Sequence, residues 1–106
     1  MTEITMYEDA GHALLWLVVR GQPMHYTELA ARLWPESRDM RERVALGLDT
    51  GHRLRAAYGR REAWATEAVN KLILAGLAEV DPDKGEGWAR VTIAGADMAR
   101  AWGVRP

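Results

Sequence analysis

The stretch Trp64-Ala65-Thr66-Glu67-Ala68-Val69-Asn70-Lys71-Leu72-Ile73-Leu74-Ala75-Gly76-Leu77 decides how this chain folds. Apolar residues recur at 64, 65, 68, 69, 72 and 73, the spacing of one buried helix face. Gly76 then fits the C′ position, where the backbone turns left-handed, and Leu77 can fold back onto Leu72 or Ile73 as the apolar partner of a Schellman end. Leu77 to Val80 is short and apolar, and Asp81-Pro82-Asp83-Lys84-Gly85-Glu86-Gly87 is rich in turn formers. Trp88-Ala89-Arg90-Val91 reads as a second strand. The order is helix, glycine stop, strand, turn, strand.

A helix running into a two-stranded ribbon is the core of a winged helix, an architecture that commonly holds one helix in a DNA groove. The expected class is therefore mainly α with a small β-ribbon (α+β), a winged helix-turn-helix over residues 1–106 as one domain. At 106 residues the chain can bury a sufficient core without metals or disulfides.

Upstream, residues 1–6 read as a loose terminus or edge strand. A first helix runs from Tyr7 to Arg20, with Glu8 and Asp9 in the turn where the helix dipole favours acids. Leu14, Leu15, Leu17 and Val18 form its buried face, and Gly21 stops it. Pro23 to Tyr26 is short and extended, and Thr27 is placed to cap a second helix over Glu28–Trp34, which Pro35 ends. A third helix is expected over Ser37–Leu46, then a basic loop with a helical turn near Leu54–Tyr58. The candidate recognition helix spans Arg61–Ala75, and Thr92 caps a closing helix through Ala94, Met98 and Trp102. Trp16, Trp34 and Trp64 fall at core spacings, while Trp88 and Trp102 are candidates for a dimer contact.

Net charge is −1, which argues against indiscriminate coating of nucleic acid. Its distribution is uneven. Residues 38–61 hold seven arginines against three acids, whereas the segments on either side are net acidic. Between Gly51 and Arg61 there is no acid, only His52, Arg53, Arg55, Arg60 and Arg61. Such a cluster suits phosphate contact; the alternative is a solvated arginine-rich helix.

Two resemblances reinforce the fold. Val19-Arg20-Gly21-Gln22-Pro23-Met24-His25-Tyr26-Thr27-Glu28-Leu29 is similar to the opening of HARE-type helix-turn-helix domains. Arg61-x-x-Trp64-Ala65 leading to Leu72-x-x-Ala75-Gly76-Leu77 resembles the N-terminal winged helix of Mrr-type restriction proteins, with Thr92-Ile93-Ala94-Gly95 at the place of that family's Thr-x-x-Gly turn. These resemblances imply the winged-helix fold and DNA binding, with no cleavage chemistry, since no nuclease domain follows. Residues 36–59 match neither family.

With Ala65, Val69, Leu72 and Gly76 turned to the core, Glu62, Thr66, Glu67, Asn70 and Lys71 face outward. Asn70 can bond an adenine edge and Lys71 a phosphate or guanine, with Thr66 beside them. Glu62 and Glu67 oppose phosphates. Lys84 and Arg90 supply positive charge to the wing, among Asp81, Asp83 and Glu86, which turn formation explains as well. The expected DNA-binding set is Arg53, Arg55, Arg60, Arg61, Thr66, Asn70, Lys71, Lys84 and Arg90.

Other chemistries find little footing. The chain has no cysteine, and its histidines (His12, His25, His52) lack metal-ligand spacing. Its one serine, Ser37, has no histidine near it in sequence. No phosphate loop or membrane-length apolar run occurs, and no basic n-region opens the chain. The expectation is a cytoplasmic, non-enzymatic, cofactor-free protein that binds double-stranded DNA as a homodimer, as a transcriptional or phage or mobile-element regulator. The rival is a winged helix that docks on a protein such as RNA polymerase, or a non-catalytic restriction or defence accessory.

Overall fold

A computed structural model describes residues 3–34 and 52–104, with backbone alone over 52–59. Among these residues four helices and three strands follow in the order α1 (Asp9–Arg20), β1 (Met24–His25), α2 (Tyr26–Leu33), α3 (His52–Leu74), β2 (Ala78–Val80), β3 (Trp88–Val91) and α4 (Ile93–Ala101). The architecture is α+β. The strands form one antiparallel sheet in the order β1-β3-β2, with Met24 opposite Ala89 and Glu79 opposite Arg90.

The end of α3 forms as its sequence demands. Gly76 takes φ 76°, its N–H donates to the Ile73 carbonyl at 3.0 Å, and the Leu77 N–H reaches back to the Leu72 carbonyl at 2.9 Å. These are the two hydrogen bonds of a Schellman motif, and Leu77 is buried beneath them. Asp81 anchors the hairpin loop: its Oδ2 accepts the Lys84 N–H at 2.8 Å and its carbonyl the Gly85 N–H at 2.8 Å. That explains why a carboxylate only 4% exposed is tolerated here.

Leu14, Leu17, Met24, Leu29, Val69 and Leu72 are the largest fully buried side chains, so α1, β1, α2 and α3 share one core. Ala13, Ala65, Ala89 and Ala99 have no exposed surface, and these small residues let the elements approach closely. Thr92 caps α4 as expected, its Oγ1 accepting the Gly95 N–H at 3.1 Å.

The structure corrects several expectations. Residues 52–60 are the first turns of α3 rather than a basic loop; the good helix formers Leu54, Arg55, Ala56 and Ala57 outweigh the roughly 1 kcal/mol that Gly59 costs. The cap of α2 is His25, whose Nδ1 accepts the Thr27 N–H at 3.2 Å, so Thr27 lies inside the helix. The ribbon has a third strand because β1 pairs with β3. Residues 3–5 have no regular structure, yet Ile4 is buried and ties them to the core. Trp16 lies on the side of α1 away from its buried stripe and Trp64 at the rim of the buried stripe of α3, so both are exposed, and Trp34 is half-buried. The helix expected over Ser37–Leu46 lies outside the described residues.

Candidate nucleic-acid interface

Helix α3 buries Ala65, Ala68, Val69 and Leu72, which leaves Arg60, Glu62, Ala63, Glu67, Asn70 and Leu74 exposed. Arg60 and Asn70 are thus available on the outward face. So are Glu62 and Glu67, which leaves that face without net positive charge over 62–74.

Thr66 is half-buried, and its hydroxyl donates back to the Glu62 carbonyl at 2.8 Å. Lys71 is drawn to the side: its ammonium is hydrogen-bonded and ion-paired to Glu8, which immediately precedes α1. Arg61 turns inward and donates from Nη1 to the Trp34 carbonyl at 2.7 Å. It thereby satisfies an end carbonyl of α2 and fastens that helix to α3. Trp34 and Trp64 meet edge to face beside it, with centroids 5.3 Å apart.

On the hairpin, Lys84 is exposed and its ammonium lies 4.3 Å from the Trp88 ring centroid, a cation–π contact that steadies it at the tip. Arg90 pairs with Glu79 across the ladder at 2.7 Å and approaches Asp81 at 3.7 Å. Arg53 and Arg55 lie on α3, but their side chains are outside the described residues.

Six members of the expected set fall into two groups. Arg60, Asn70 and Lys84 present polar or cationic groups to solvent. Arg61, Lys71 and Arg90 are engaged in holding the fold, because each meets an acceptor supplied by another element. The Arg90–Glu79 pair follows from strand register, since directly opposed residues on a ladder share a face. The Lys71–Glu8 and Arg61–Trp34 contacts join residues 63 and 27 positions apart, and no local pattern announces them.

The Glu8 carboxyl is held below the usual carboxylate range, first by the Lys71 ammonium and then by the Thr5 backbone N–H at 3.1 Å. A depressed acid stabilises the fold above its unfolded value of about 4.3 and loses that contribution as pH falls through the lowered value. Glu8→Gln lacks the contribution at every pH. Its stability, followed by urea unfolding from neutral pH to about pH 3, is expected to fall less steeply with acid than the wild type's. Parallel pH profiles would show that the pair adds nothing.

No protein-family model, no curated protein and no solved structure matches this chain. Among the described residues, no helix is long and apolar enough to cross a membrane, and no group of three His, Asp or Glu side chains could hold a metal ion.

Proposed function

We propose that this chain is a winged helix-turn-helix protein that binds duplex DNA, with α3 as the recognition helix and the β2–β3 hairpin as the wing. One observation carries the reading: α3 runs through a Schellman turn into a hairpin whose strand β3 is completed by the strand preceding α2. That arrangement backs one long helix with α1 and α2, sets the hairpin at its C-terminal end and leaves its far face to solvent. In this reading Asn70 meets base edges, while Arg60 and Lys84 hold phosphates on either side of the groove. The protein carries no catalytic chemistry of its own and works in the cytoplasm as a homodimeric transcriptional or mobile-element regulator.

The test is a ¹H–¹⁵N NMR titration of the protein with a mixed-sequence duplex at low salt. Shift changes are expected at Arg60, Asn70 and Lys84, with the buried face of α1 unmoved. Changes that leave these three untouched would overturn the assignment.

A second reading, a winged helix that docks on another protein, is favoured by Glu62 and Glu67 on the outward face of α3. Leu74 and Ile93, 84% and 83% exposed, add apolar surface at the adjoining helix ends. Under this reading the duplex leaves the spectrum unchanged and a basic partner protein binds instead.

A further inference from the structure

We propose that the outer face of α1 is the surface through which two copies of this chain pair, with the two α1 helices antiparallel. His12, Leu15, Trp16 and Val19 lie at i, i+3, i+4 and i+7, a stripe on the side of α1 opposite its buried residues. Trp16 is 36% and Val19 56% exposed, so large apolar side chains stand at the surface here. Two concavities run along the stripe. One of about 280 Å³ is lined, among the described residues, by His12, Leu15, Trp16 and Val19; one of about 260 Å³ is lined by Trp16, Val19, Arg20, Met24 and Arg32. The same stripe thus offers both projecting side chains and hollows, as a self-complementary two-fold contact requires.

Charge selects the second copy and its direction. At the N-terminal end of α1 stand Glu8 and Asp9, with Lys71 paired to Glu8, leaving a net acid. At the C-terminal end stand Arg20 and Arg32, with Glu28 paired to Arg20 at 3.2 Å, leaving a net base. The Arg32 guanidinium lies 5.4 Å from the Trp16 ring centroid, so this positive charge is at the edge of the stripe itself. Parallel pairing would put like ends together. Antiparallel pairing sets each acidic end against a basic one and opposes the helix dipoles. If the two-fold axis passes between Leu15 and Trp16, one copy's Arg20 comes level with the other's Gly11. Asp9 is then only about 3 Å further along the axis, at 1.5 Å per residue.

One helix face is small against the roughly 800 Å² per partner of a standard interface, so a micromolar dimer is expected. This proposal does not rest on DNA binding, and its test contains no DNA. Sedimentation velocity from about 5 to about 500 µM, a range that brackets such a dimer, is expected to show wild-type mass rising from one chain towards two. Val19→Glu and Trp16→Glu, at exposed positions, are expected to stay monomeric with unchanged circular dichroism. Asp9→Lys is expected to weaken association, as is raised salt. A wild type that stays monomeric throughout the range would overturn the proposal, and so would a dimer that survives both glutamate variants.

Discussion

Replacing Gly95 by alanine is expected to destabilise the domain by roughly 3 kcal/mol or more. Gly95 is buried in the first turn of α4, where its N–H donates to the Thr92 hydroxyl oxygen. A Cβ there would overlap the Leu77 carbonyl oxygen and lie 2.7 Å from Val91 Cγ2. The oxygen cannot retreat. It accepts the Thr92 N–H at 3.1 Å, and the Leu77 N–H is itself held by the Schellman turn. Thr92 Oγ1 also donates to the Gly76 carbonyl at 2.6 Å, so α4 is docked onto the backbone where α3 becomes β2. Alanine in a helix interior ordinarily gains up to about 1 kcal/mol over glycine, and here the overlap outweighs that gain. Thermal unfolding followed by circular dichroism is expected to show Tm lowered by more than about 10 °C. An unchanged or higher Tm would mean that α4 does not dock this closely.

The Thr92–Gly95 turn also shows what local pattern can convey. Gly76, Leu77, the two strands and the Thr92 cap were all readable in the sequence, because each rests on neighbours within a few residues. The start of α3 was not, since Gly59 and a run of arginines resemble loop composition and obscure the helix formers Leu54, Arg55, Ala56 and Ala57 among them. Trp16 and Trp64 misled for a related reason: helical spacing marks apolar stripes, and a side chain at the rim of one, as Trp64 is, or on a second stripe facing solvent, as Trp16 is, cannot be told from one at the centre of the core face. For the candidate site, the exposure of Arg60, Asn70 and Lys84 followed from the helix and hairpin alone. The capture of Arg61 by the Trp34 carbonyl and of Lys71 by Glu8 did not, because those partners come from remote segments.

If Arg60 and Lys84 hold phosphates, Arg60→Ala with Lys84→Ala is expected to lower affinity for duplex DNA by roughly 10- to 100-fold at about 0.1 M salt. Each lost contact also removes about 0.9 from the slope of log affinity against log salt, so the double variant is expected to be shallower by about 1.8. The effect should be specific to position. Arg100→Ala removes an exposed arginine of α4 that pairs with Asp97, and it is expected to leave both quantities unchanged. Glu62→Lys with Glu67→Lys reverses the two carboxylates on the outward face of α3 and is expected to tighten binding and steepen the slope. Were that face a protein-docking surface, the lysine pair would abolish partner binding instead.

The most direct measurement is fluorescence anisotropy of the wild type and the Arg60→Ala/Lys84→Ala variant with one labelled mixed-sequence duplex across a salt series. Micromolar or tighter wild-type binding at low salt is expected, with a steep slope that flattens in the variant. A wild type that does not bind even at low salt, or two proteins with the same slope, would contradict DNA recognition by α3 and its wing.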